Sequence, residues 1–265
     1  MSEPDPGEPL TASLTGPAGA PVLVLGDSLG TSRAVWDGLV PWLGGRYRLL
    51  RFELPGHGGA PAPRGPYTIA QLGQSVLALL DQHGIERAAY AGISLGGMIG
   101  MWLAAHAPGR IGALGLVCTS AYLPPAGGWR ARADQVLAHG MGSVREQSLA
   151  RWFTPGFIGH EPAVAAASGA DLERIDPAGY AGCCAAIGGM DLRGALSGIA
   201  APALVIAGSE DPATPPDHGA RIATGLPGAR LLVVRGASHL ATVSHPGQVS
   251  AALAAHLDAA TGRSG

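Results

Sequence analysis

Short apolar runs alternate with stretches of helical period along this chain. Pro21 to Leu25, Ala88 to Ala91, Ile111 to Val117 and Pro202 to Gly208 are continuous apolar runs, the pattern of parallel strands buried on both faces. Arg48 to Phe52 and Arg230 to Val234 add two further strands, and the weak alternation of Leu10 to Thr15 suits a sheet edge. Between them, Ile69, Leu72, Val76, Leu79 and Leu80 recur at helical spacing behind the capping box Thr68-Ile69-Ala70-Gln71, and Gly84 stops that helix. Leu95 to His106 predicts a second helix ending at Pro108-Gly109, and Pro246 to Leu257 a last one, with a frayed tail from Asp258 to Gly265. Strand, helix, strand in this order predicts an α/β protein with a doubly wound, mostly parallel sheet covered on both faces.

The alternation is interrupted once. From Tyr122 to about Gly194, proline and glycine break up short amphipathic segments that hold Trp129, Trp152, Phe153 and Phe157, which reads as a helical insertion. The expected division is a core made of residues 1–121 and 195–265, with residues 122–194 inserted. A length of 265 residues suits one domain carrying such an insertion better than two independent domains.

Charge narrows the function classes. Charged residues are 14% of the chain and the formal net charge is −2, so there is no electrostatic footprint for nucleic acid or an anionic membrane. All 17 basic residues are arginine, which excludes Schiff-base lysine chemistry and a Walker-type phosphate loop but leaves bidentate carboxylate recognition open. Cys118, Cys183 and Cys184 suggest neither a disulfide framework nor a metal site. Met1 to Pro9 lacks the basic and apolar regions of a signal peptide, and no run approaches the roughly 20 apolar residues of a membrane span. The expectation is a soluble, cytoplasmic protein.

The candidate chemistry centres on Gly92-Ile93-Ser94-Leu95-Gly96, a G-x-S-x-G spacing between a predicted strand and a predicted helix. A serine hydroxyl attacks well only from a sharp exposed turn, beside a base and facing amide donors; the bland alternative is Ser94 as a helix N-cap. An acid and a histidine should then follow at the ends of later strands. Asp211 follows the strand ending at Gly208, with Glu210 as its competitor, and His239 follows the strand ending at Val234. The amides of Leu95 and Ser28 are the expected oxyanion donors. His57, between two glycines, is expected to tie its loop to neighbouring backbone.

With these pieces in place the chain resembles the α/β-hydrolase superfamily, and within it the bacterial 3-oxoadipate enol-lactone hydrolases. The resemblance is carried by Ser28-Leu29-Gly30-Thr31 with Trp36, Pro55-Gly56-His57-Gly58, Gly65-Pro66-Tyr67-Thr68-Ile69 and Ser94-Leu95-Gly96-Gly97. Thr119-Ser120-Ala121, Trp129 with Arg132, Trp152-Phe153 and Asp191-Leu192-Arg193 extend it through the insertion. It implies a helical cap after strand six, no cofactor and no metal, and hydrolysis of a small carboxylate-bearing lactone. It also implies a substrate pocket at Trp129, Arg132 and Trp152, Arg132 being the first choice for a substrate carboxylate ahead of Arg33 and Arg130. The expected partner is a small lactone or ester, with no nucleic acid and no membrane, for a monomer or homodimer. Departures include Asp27 in the oxyanion loop, Glu53 and Ala60 around the G-H-G turn, and Ser238 before His239. A carboxylesterase or thioesterase, a carbon-carbon bond hydrolase and a non-catalytic ligand receptor remain the alternatives.

Overall fold

The computed structural model describes residues 10–262, so the expectations for Met1 to Pro9 and for the last three residues lie outside the described residues. Seven strands form one sheet: β1 (Ala12–Thr15), β2 (Val22–Gly26), β3 (Arg48–Phe52), β4 (Ala88–Ile93), β5 (Ile111–Val117), β6 (Ala203–Gly208) and β7 (Arg230–Val234). Their order is β1-β3-β2-β4-β5-β6-β7, and every pairing is parallel except β1 with β3. The central strands β4 and β6 are buried along their whole length, which explains their unbroken apolar sequences.

The three helices predicted outside the insertion formed, and a further one between β6 and β7 had no expectation in the sequence. In α2 (Ile69–Gln82) the Thr68 Oγ1 accepts from the Gln71 amide while the Gln71 side chain accepts from the Thr68 amide. Ile69, Leu72, Val76, Leu79 and Leu80 are all buried, and each large aliphatic side chain contributes roughly 1.5–3 kcal/mol through that burial. α3 (Leu95–His106) packs on α2 and on β4, while α9 (Pro216–Gly225) covers β6 and β7. The short α1 (Val40–Leu43) and α10 (Ala241–Ser244) both pack on the long α11 (Pro246–Thr261), and α11 lies on β5 and β6.

Two local features depart from the sequence reading. The stretch between β2 and β3, for which the sequence predicts no element, carries a 3-10 turn at Arg33–Leu39 that runs into α1. With Gly38 and Pro41 inside it, the stretch shows no helical period; burial of Val35, Trp36 and Leu39 and the Ser32 cap hold it. The chain after Leu257 also does not fray at once. α11 continues to Thr261, because Asp258 accepts from the Tyr47 hydroxyl at 2.7 Å and pairs with Arg46.

The helical insertion follows β5, the fifth strand among the described residues. The resemblance placed it after strand six, one strand more than the described residues show. The insertion contains α4 (Ala126–His139), α5 (Arg145–Trp152), α6 (Pro155–His160), α7 (Pro162–Glu173) and α8 (Pro177–Gly188). α4 packs against α8, and α5 against α7. None of the described helices is long and apolar enough to cross a membrane.

Candidate active site

The chain moves from β2 outward to β3 and then returns to place β4 on the other side of β2. That reversal opens a crevice at the carboxyl ends of β2 and β4, where open α/β sheets bind ligands. The register pairs Gly26 with Gly92, so the Asp27-Ser28 loop stands beside the turn at Ser94.

Ser94 adopts φ 53° and ψ −115°, a left-handed conformation that costs a non-glycine residue about 1–3 kcal/mol. Four hydrogen bonds hold the turn and its neighbours. The Ser94 amide donates to Val117 O at 3.0 Å, the Thr119 hydroxyl to Ser94 O at 2.7 Å, the Gly96 amide to Asp27 O at 2.8 Å and the Tyr90 hydroxyl to Gly96 O at 2.8 Å. The two flanking glycines answer to space: a Cβ at Gly92 would stand 2.3 Å from the Gly96 carbonyl carbon, and one at Gly96 2.2 Å from Gly26 O. The Ser94 side chain makes no capping bond to α3, so the N-cap reading does not describe it. Leu95 is the first residue of α3, where the amide has no intrahelical partner.

Asp211 and His239 meet at the ends of β6 and β7. His239 Nδ1 lies 2.8 Å from Asp211 Oδ2. That bond makes Nδ1 the protonated nitrogen and leaves Nε2 as the basic one. The acid is held in turn by the amides of Ala213 and Thr214 on Oδ1, at 2.8 and 3.0 Å, and by the Thr214 hydroxyl on Oδ2 at 2.8 Å. Burial pushes the Asp211 carboxyl up, but the His239 charge and hydrogen bond together with the Thr214 donors outweigh it, and the group stays below the ordinary aspartate range. Glu210 is exposed, so Asp211 is the carboxylate that reaches the histidine.

The loop after β2 is fixed from the other direction. Ser28 is buried, and its carbonyl accepts from both the amide and the hydroxyl of Thr31. His57 donates from Nδ1 to Pro55 O and accepts the Gly30 amide on Nε2 at 3.1 Å, so it ties the loop as expected from its sequence setting. Full burial lowers its pKa to about 4, against the opposing pull of the Pro55 carbonyl. Asp27 is fully buried, and neither carboxyl oxygen has a hydrogen-bond partner among the described residues. Burial first, and Glu53 second, push its pKa well up; the Trp36 indole, near but without a formed hydrogen bond, works weakly against them with Arg51 and Arg33.

A cleft of about 470 Å³ lies over these groups. Ser94, Thr214 and His239 form its core side, and Trp129, Arg132, Gln147 and Arg151 belong to its insertion side. Trp129 is anchored by its indole N–H on Leu123 O at 3.0 Å. Arg132 donates from Nε to the Tyr180 hydroxyl and from Nη2 to the Ser148 hydroxyl, both at 2.7 Å, and from Nη1 to Gln147. Trp152 is buried beside Gly30, under the loop after β2. Arg33 is drawn toward Glu53 and Arg130 is exposed.

A family model described as alpha/beta hydrolase fold matches residues 21–155, and one described as TAP-like protein matches residues 189–262. The chain is 38% identical to 3-oxoadipate enol-lactonase 2 of Acinetobacter baylyi over 87% of its own length and 86% of the relative's. The chain belongs to the α/β-hydrolase family. Among solved structures it is similar to an enol-lactonase from Burkholderia xenovorans LB400, at 37% identity and TM-score 0.92, covering 94% of this chain and 96% of that one. A hydrolase from Pseudomonas aeruginosa PA01 superposes with TM-score 0.90 at 41% identity, covering 93% of each chain.

In this α/β-hydrolase Thr214, Gln147 and Arg151 are among the cleft residues that escaped the sequence reading. Thr214 had a signal, since Asp-Pro-Ala-Thr is the spacing at which an aspartate accepts from the amides two and three residues on. Gln147 and Arg151 had none, because a helical insertion with weak periodicity does not reveal which face it turns to the core. Of the histidines outside the cleft, His106 bonds Trp102 O and His245 the Ser244 hydroxyl within their own segments, while His218 bonds the Ser120 hydroxyl and His256 Pro202 O across the fold.

Proposed function

We propose that this α/β-hydrolase opens a small carboxylate-bearing lactone, 3-oxoadipate enol-lactone above others, through an acyl-enzyme on Ser94. The observation that carries the reading is the Asp211–His239 hydrogen bond of 2.8 Å, opening on the same cleft as a serine held at positive φ. The similarity to two named enol-lactonases supports the substrate.

In the proposed reaction His239 Nε2 takes the Ser94 proton as the oxygen attacks the lactone carbonyl. The amides of Leu95 and Ser28 receive the oxyanion, and Asp211 holds the histidine tautomer and stabilises its charged form. Collapse breaks the ring carbon–oxygen bond. The leaving enol oxygen takes the proton from His239, and its tautomerisation to a ketone makes the step hard to reverse. Water then gives its proton to His239, attacks the ester and returns Ser94 to its free form. Residues 122–194 act as a cap over the core formed by 1–121 and 195–265, with Trp129 and Arg132 on the substrate side and Trp152 steadying the oxyanion loop.

Turnover of the enol-lactone by the wild type and by Ser94→Ala tests this. The expected result is rapid ring opening lost by a factor on the order of 10⁴ or more in the variant. Retained turnover in Ser94→Ala would remove the nucleophile assignment. Ser94-dependent hydrolysis of neutral esters alone would keep the site and change the substrate.

A further inference from the structure

Arg151 sits in the last turn of α5, half-buried, on the wall of the cleft that contains Ser94 and His239. Among the described residues its guanidinium makes no hydrogen bond and no ion pair, whereas Arg132 beside it is fastened to Tyr180, Gln147 and Ser148 and lies 5.7 Å over the Tyr180 ring. Among the described residues no aspartate or glutamate belongs to the cleft wall, so two like charges share it there without a compensating anion. Desolvation, and then the charge of Arg132, act against the protonated form of Arg151. An arginine stays charged through such a shift, so the positive charge remains uncompensated.

Its placement is fixed relative to the chemistry. The Ser238 hydroxyl donates to Arg151 O at 2.8 Å, and the Leu240 amide donates to Trp152 O at 3.1 Å. The residues on either side of His239 thus grip the end of α5 that bears Arg151. The backbone that bears this guanidinium is tied to the segment of the base, so a ligand group it holds lies within one side chain's reach of His239, which limits the position of charge along a substrate.

We propose that Arg151 receives the carboxylate of the substrate in a forked pair, with Arg132 as a fixed neighbouring cation, so that the site selects acyl compounds bearing a carboxylate a few bonds from the scissile carbonyl. This rests on the hydrolase reading above. Arg151 sets specificity and positions the substrate; it takes no part in proton transfer.

The readout is the ratio of kcat/KM for the enol-lactone to kcat/KM for its neutral methyl ester. In Arg151→Ala that ratio falls about 10- to 100-fold, the size of a lost charge-assisted pair, and the loss lies in KM. Arg151→Lys recovers part of it, and added guanidinium ion partly rescues the alanine variant. An unchanged ratio overturns the proposal, as does an equal fall for both substrates, which marks a merely structural arginine. If the wild type leaves the lactone untouched, the substrate reading has failed, and Arg151 is judged on neutral ester hydrolysis inhibited by glutarate against dimethyl glutarate. A Ki for glutarate at least about tenfold higher in Arg151→Ala supports it; the same Ki overturns it.

Discussion

At the scale of single residues, Asp27 is the group whose chemistry sits worst with its surroundings. A carboxylate with neither oxygen paired, buried one residue before the proposed oxyanion amide, is far more costly ionised than neutral. Its raised pKa means that the folded protein keeps the proton after the unfolded chain has released it. Stability contributed this way is complete below the ordinary aspartate pKa and is lost as pH rises above it. Asp27→Asn removes the titration while keeping the shape. The variant should melt above the wild type at neutral pH, by about 2–4 °C per kcal/mol gained, with the difference closing below about pH 4. Thermal unfolding of both proteins across that range checks this, and a difference that does not change with pH would contradict it. The same burial that raises its pKa favours the uncharged form of Asp27 beside the proposed oxyanion amides.

At the scale of elements, the site depends on loops from different strands being fastened to one another. His57 joins the turn after β3 to the loop after β2 through Gly30 and Pro55, and its ring stacks on Tyr180 of the insertion at 6.3 Å. With a folded pKa of about 4 against 6.5 in the unfolded chain, the unfolded state binds the extra proton in that window. Stability therefore falls as pH drops from about 6.5 to about 4, by on the order of 3 kcal/mol from this residue. Denaturant unfolding checks this as a difference, in which the opposing Asp27 contribution cancels: the stability of the wild type minus that of His57→Gln should fall by that amount between about pH 6.5 and about pH 4, and a difference that stays constant would contradict the account. The strands and the long amphipathic helices were legible in the sequence because burial on two faces, or on one stripe, leaves an apolar pattern that local residues enforce. The 3-10 turn and α1 were not, since Trp36 and Leu39 are fixed there by distant packing. The end of α11 was misread for the same reason, its anchor at Tyr47 lying far away in sequence.

At the scale of the whole molecule, the sheet reversal between β2 and β4 brings the Ser28 loop to Ser94, and the carboxyl ends of β6 and β7 bring Asp211 to His239. Those residues were legible because each sits at a strand end with a turn sequence that few other functions require. The insertion side of the cleft was legible only through resemblance. Arg132 and Trp129 reach the cleft, Trp152 packs beneath the loop after β2, and Arg151 emerges from three-dimensional placement alone.

The most direct test of the central claim, a nucleophilic Ser94 driven by His239 and Asp211, is reaction of the folded protein with a fluorophosphonate, read by intact mass and peptide mapping. The account predicts one phosphonyl adduct, on Ser94, formed orders of magnitude more slowly in His239→Ala and Asp211→Asn. No adduct in folded protein, or an adduct elsewhere such as Ser120 or Ser238, would contradict it.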